Sequence, residues 1–203
     1  MTANIRVIGL AAAFTCIRLA PLYGQIQLQS VNLSVLGGGY NTVHNVFNLQ
    51  TGTTDDFKTG FTLGGSIGLQ LHKYVELRAS LTGAQTHLRV NGAETATYLN
   101  RYYVGVDVKG EYPLAGGITP YGLAGGGFVV LHEKGATAGD KTQGFGHLGL
   151  GVAHSISGGL SLFLQADGFF YSLSGLTSPA LSAYSSAQFD VAWNAGVSYR
   201  FSL

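Results

Sequence analysis

The stretch Phe189-Asp190-Val191-Ala192-Trp193-Asn194-Ala195-Gly196-Val197-Ser198-Tyr199-Arg200-Phe201-Ser202-Leu203 alternates along its whole length. Phe189, Val191, Trp193, Ala195, Val197, Tyr199, Phe201 and Leu203 fall on one face, and Asp190, Ala192, Asn194, Gly196, Ser198 and Arg200 on the other. Successive side chains of a strand point to opposite faces, so a period of two sustained this long predicts a strand with one apolar side. Residues 74–85 repeat the pattern, with Val75, Leu77, Ala79 and Leu81 set against Glu76, Arg78, Ser80 and Thr82. Residues 101–112 do so with Val104, Val106 and Val108 against Tyr103, Asp107, Lys109 and Glu111. In residues 159–172, Leu160, Leu162, Leu164 and Phe170 oppose Gln165 and Asp167. Weaker alternation at 31–40, 61–71, 119–132 and 142–156 brings the set to eight strands.

The links between them alternate in length. Those at 72–73, 113–118 and 157–159 are short, whereas those at 41–60, 86–98, 133–141 and 173–187 are longer and polar. Long loops on one rim and tight turns on the other are the pattern of outer-membrane barrels, with the loops outside and the turns in the periplasm. An even strand count places both chain ends on the turn side. Pro113, Pro120 and Pro179 fall in a turn, at a strand start and in a loop, where no central ladder loses a donor.

Composition bears on which face is outside. Only 10% of the 203 residues are charged, against about 25% in ordinary soluble domains. No apolar run reaches the length of a membrane-spanning helix, about 18 residues. The 31 glycines show no collagen-like period. A soluble eight-stranded barrel would put its apolar face inside, but the polar face here is mostly Gly, Ser, Ala, Thr and Asn, too bland for a solvated surface. The apolar face carries no Asp, Glu, Lys or Arg. A basic residue facing lipid costs about 2–4 kcal/mol at mid-bilayer, so that absence has a reason in a membrane and none in a core. The expected fold is an all-β, eight-stranded antiparallel up-and-down transmembrane β-barrel. Two aromatic girdles follow, with Phe189 and Trp193 near the external interface and Tyr199 and Phe201 near the periplasmic one. Tyr112 and Tyr121 flank a turn, and Phe61, Tyr102 and Phe170 lie toward the outer rim.

The first residues read as a cleavable export signal, 1–24, ahead of a barrel domain, 25–203. Arg6 supplies the positive start, residues 7–17 the apolar segment, and Gly24 the small residue before the cut. Arg18 departs from that pattern. The single cysteine, Cys16, lies within this segment, and Phe14 and Thr15 do not fit a lipoprotein cleavage box. Removing Arg6 and Arg18 from 11 basic residues leaves 9, against 10 acidic, a net charge of −1. No nucleic-acid partner is expected from such a balance.

Two places carry a family resemblance: Thr119-Pro120-Tyr121 leading into Gly125-Gly126-Gly127, and the closing Gly196-Val197-Ser198-Tyr199-Arg200-Phe201-Ser202-Leu203. The chain resembles the small outer-membrane β-barrels of the OmpA/OmpX type over nearly all of the expected barrel domain. The resemblance implies residence among the lipids of a Gram-negative outer membrane, and the barrel-assembly machinery as the partner during insertion. Members of the family commonly end on an aromatic residue; here Leu203 is last and Phe201 stands two before it. No peptidoglycan-binding domain, of the kind in full-length OmpA, is expected after the barrel.

Eight strands leave an interior that side chains just fill, so inward charges should pair. Pairing 74–85 with 101–112 on one face requires an odd sum of residue numbers. A sum of 185 sets Glu76 opposite Lys109 and Arg78 opposite Asp107. Sums of 183 and 187 set Glu76 against Asp107 or Glu111, and like charges directly opposite are destabilising. These pairs read either as a structural network that plugs the lumen or as a gated ion path. The histidines at 44, 72, 87, 132, 147 and 154 show no metal-ligand spacing, and most fall in loops or at rims. His154 and Ser155 are strand neighbours on opposite faces. No Gly-x-Ser-x-Gly motif occurs, and the glycine runs at 37–39 and 125–127 are not followed by a helix, as a phosphate loop would be. No catalytic residue, metal or cofactor is expected. The expectation is a non-enzymatic barrel with a filled lumen, serving envelope structure or surface interaction through loops whose ligand is open. A narrow passive channel and a lipid-modifying enzyme are the alternatives.

Overall fold

The computed structural model of the chain describes residues 28–43, 46–48, 53–90, 93–134, 140–173 and 187–203. The export signal expected at 1–24 lies outside the described residues. Ten strands form one antiparallel system: β1 (Ser30–Thr42), β2 (Val46–Asn48), β3 (Thr53–Phe57), β4 (Gly60–His72), β5 (Val75–Val90), β6 (Ala93–Glu111), β7 (Ile118–Lys134), β8 (Asp140–Ser157), β9 (Leu160–Ser172) and β10 (Ala187–Ser202). Eight of them, β1 and β4 to β10, make a closed up-and-down barrel. β10 closes it against the whole length of β1, from Ser30 opposite Ser202 to Thr42 opposite Asp190.

The faces are inverted relative to a soluble barrel. Val104, Val106 and Val108 point outward and are each 53% exposed, while Glu76, Arg78, Asp107, Asp167 and Asp190 are buried inside. Tyr121 is a correction to its expected place in the lipid-facing belt. It sits opposite Glu111, shares that residue's inward face, and is buried. The turn at its foot shifts parity by a length that alternation alone does not reveal.

Strands on the loop rim are longer than expected. The loop anticipated at 86–98 is mostly ladder, because β5 runs to Val90 and β6 starts at Ala93. The two intervening residues are Asn91 and Gly92, a pair favoured in tight hairpins. In this extension the polarity swaps sides. Leu88 and Leu99 are buried inward, and the outward neighbours are His87 and Tyr98, ring centroids 4.2 Å apart. Within the loop anticipated at 41–60, β2 and β3 form a small hairpin, and β3 pairs onto the top of β5, Asp55 opposite Val90 and Phe57 opposite Leu88. Phe57, Leu88, Leu99, Leu131 and Leu173 are part of a compact apolar core at this end.

The opposite rim has three tight connections. The turn at 158–159 uses two left-handed glycines, Gly158 (φ 56°) and Gly159 (φ 87°), as a two-residue hairpin of matching twist demands. Inside the barrel, glycines make room rather than turns. A Cβ on Gly151 would run into the Tyr121 ring, one on Gly196 into Phe163, and one on Gly68 into the Glu76 carboxylate.

Candidate functional site

Among the described residues, chemistry-bearing side chains converge in the lumen, which is built in three tiers. Nearest the turns, Glu76 stands opposite Lys109 on the β5–β6 ladder. Lys109 Nζ is 3.5 Å from Glu76 and 2.9 Å from Glu111, so it is shared between two carboxylates. Arg200 Nη2 donates to Glu111 (3.1 Å), and Gln70 Nε2 donates to it as well (3.0 Å). Asn32 donates to Glu76. Above the turns this tier opens into a vestibule of about 360 Å³, lined in part by Lys109, Arg200, Tyr121 and Gln165.

The middle tier begins with Arg78 opposite Asp107. Their Nη2–Oδ2 distance is 3.6 Å, with side chains 7% and 1% exposed. The nearer partner of Asp107 is His147, whose Nδ1 lies 2.7 Å from Oδ1. His147 Nε2 is 2.9 Å from Asp167 Oδ1 on the other side. Gln165 links the ends, accepting from Arg78 Nη1 (3.3 Å) and donating to Asp167 (2.7 Å). Asn194 donates from Nδ2 to Asp167 (2.8 Å), and its Oδ1 accepts from Thr62. The void enclosed within this tier is about 10 Å³, and Arg78 and Gln165 at its lower edge also line the vestibule.

The upper tier gathers on Asp190, which is fully buried. Tyr40 and Tyr171 donate to its Oδ2, and Tyr40 and Tyr103 share a hydrogen bond of 2.6 Å. Arg101, also fully buried, donates from Nε to Tyr171 (2.7 Å) and from Nη1 to Thr86 (2.6 Å), and its Nε is 3.5 Å from Asp190. Tyr103 stacks on Phe169 at 4.3 Å, which joins this tier to the apolar core.

Glu76, Lys109, Arg78 and Asp107 thus lie in the lumen, in two adjacent tiers rather than as two isolated pairs. Sequence reasoning missed His147, which joins Asp107 to Asp167, and the separate pair Arg101 and Asp190. Strand parity would have placed Asp167, Asp190 and Arg101 inside. His147 is harder, since glycines occupy both faces of its strand and leave the inward side ambiguous; it is buried, not at a rim. Among the expected girdle residues, Trp193 (61%), Tyr199 and Phe201 are exposed on the outer wall, and Phe189 is half-buried, stacked on Phe170 at 4.6 Å.

A closed ladder, an apolar outer wall and a charged, packed interior define a small transmembrane β-barrel. The family model for the outer membrane protein beta-barrel domain matches residues 10–201, and the chain belongs to that family. Solved structures with a similar fold include Neisserial surface protein A, with a TM-score of 0.55 at 14% identity, covering 85% of this chain and 96% of that one. The N-terminal barrel of Pseudomonas aeruginosa OprF gives 0.51 at 18% identity, covering 86% and 100%. Yersinia pestis Ail, solved in complex with the heparin analogue sucrose octasulfate, gives 0.51 at 13% identity, covering 86% and 100%. At these identities the likeness is one of fold. No match is found among curated protein sequences.

Proposed function

We propose that the protein is a non-enzymatic outer-membrane barrel with a side-chain-filled lumen, serving envelope structure or surface interaction through its extracellular loops. The middle tier carries this reading. Its void of about 10 Å³ is at or below the volume that admits a single water, about 10–15 Å³, so Arg78, Asp107, His147 and Asp167 act as a structural plug. In this reading residues 1–24 are removed on export, and the assembly machinery inserts the barrel with its turns in the periplasm. Phe189, Trp193, Tyr199 and Phe201 then meet lipid near the two interfaces. A narrow passive channel is the second reading, favoured by the open vestibule at the turn end. Planar-bilayer recording of the purified barrel separates them. The plug predicts a flat baseline at all voltages, and sustained unitary conductance would remove the first reading.

A further inference from the structure

His147 sits between two carboxylates, Asp107 at Nδ1 and Asp167 at Nε2. Each contact is short enough to need a hydrogen, and a neutral imidazole carries only one. The second proton must come from somewhere within the triad. The carboxylates do not supply it, because their oxygens all receive donors: Asp107 Oδ2 faces Arg78 and Ser80, and Asp167 Oδ2 faces Gln165 and Asn194. Charge bookkeeping points the same way. The turn-end tier sets Lys109 and Arg200 against Glu76 and Glu111, two of each sign. The upper tier sets Arg101 against Asp190, one of each. The middle tier has Arg78 against Asp107 and Asp167, and it balances only with a cation at His147.

We infer that the barrel carries a structural proton: His147 is a resident imidazolium that clasps β6 and β9 from β8 along the inner wall. The backbone makes this reach available. Asp107, Gly125 and His147 form one cross-strand row on β6, β7 and β8, so only a glycine stands between the carboxylate and the ring. Phe169, next in the row, stacks on the ring at 4.9 Å and 8°. The groups that face the imidazole are Arg78 from β5, Asp107 and Tyr103 from β6, and Asp167 from β9. Gly125 is what β7 offers, while β1, β4 and β10 present the uncharged Leu36, Ser66 and Asn194. Loss of the proton would leave one carboxylate facing a ring lone pair, so the clasp opens on the alkaline side and the plug loosens there.

Two measurements test the inference. In ¹⁵N-histidine-labelled barrel at pH 7, assigned by comparison with His147→Gln, both His147 ring nitrogens should resonate as protonated; a ring with one bare nitrogen overturns it. In the second, urea unfolding in lipid is followed as pH rises above about 7. An unfolded histidine has by then lost its proton (ordinary value about 6.5), so folding retains one proton that the unfolded chain lacks. The wild-type unfolding constant should then climb by up to about tenfold per pH unit relative to His147→Gln. Parallel pH dependence of the two proteins overturns the clasp even if both fold.

Discussion

Asp107→Ala and Arg78→Ala remove opposite ends of one ion pair, yet the structure makes them unequal. At 3.6 Å and an effective dielectric constant near 20, the bare attraction is about 5 kcal/mol, most of it offset by desolvation of two buried ions. What remains depends on who else attends each partner. Without Arg78, Asp107 still accepts from His147 at 2.7 Å and Ser80 at 3.4 Å. The loss should then be that of one charge-assisted hydrogen bond, about 1.5–3 kcal/mol. Without Asp107, Arg78 keeps only the 3.3 Å bond to Gln165, with its Nε already unpartnered, and His147 loses one carboxylate. That is a stranded buried charge, about 3–5 kcal/mol. Adding Arg78→Ala to Asp107→Ala should recover part of that loss, because the stranded guanidinium is gone. Urea unfolding in lipid vesicles, followed by the fluorescence of the single tryptophan, Trp193, reads all four corners of the cycle. Strictly additive losses, or Arg78→Ala as the more damaging change, would refute the reasoning.

Gly125→Ala places a Cβ inside contact distance of the Val106 carbonyl and 2.5 Å from Asp107 Oδ1; overpacking of this kind should cost about 1–3 kcal/mol in the same assay, whereas Gly110→Ala, which meets open space, should unfold as wild type. Arg101→Met takes away the fully buried guanidinium that faces Asp190 and should destabilise by about 3–5 kcal/mol, with Asp190→Asn in the same chain restoring part of it. For orientation, single cysteines at Gly52 and Gly158 in an otherwise Cys16-free chain should label differently on intact cells. The first should be modified by a membrane-impermeant maleimide and the second protected, and equal labelling contradicts turns in the periplasm.

The number of barrel strands and the sense of their faces were legible because both rest on one long-range signal, alternation with charge confined to one side. Residues 189–203 or 74–85 state it without help from the rest of the chain. The ladder register between β5 and β6 was open to a charge argument because Glu76, Arg78, Asp107 and Lys109 are spaced so that neighbouring registers bring like charges together. Beyond the bilayer that signal reverses, which is why 86–98 reads as loop although Leu88 and Leu99 are buried there. Asn91-Gly92 was the local clue to the hairpin. Tyr121 was misplaced because aromatic residues suit both the lipid belt and the packed lumen; its burial, its register opposite Glu111 and its bond to Gln165 at 3.0 Å put it in the lumen. His147 escaped notice because its meaning lies in a row of three strands, with a glycine in the middle, that no single segment contains.

The reversal of polarity along β5 and β6 fixes a waterline on the wall. Outward side chains are apolar up to Tyr102, and just above it Gln85 and Asn100 meet across the strands as an outward amide pair, 2.9 Å apart. From there the hairpin lives by the rules of a water-soluble protein, apolar inside and polar outside, with Phe57, Leu88, Leu99, Leu131 and Leu173 at the upper end of the cluster that continues down to Tyr103 and Phe169. Substitutions in the two regions therefore answer to opposite chemistries. A lysine introduced on the outward face at Val104 meets hydrocarbon, while one at His87, on the same ladder, meets water. Outward residues above the amide pair can change without renegotiating the packing below it, whereas those beneath it are held to what hydrocarbon tolerates.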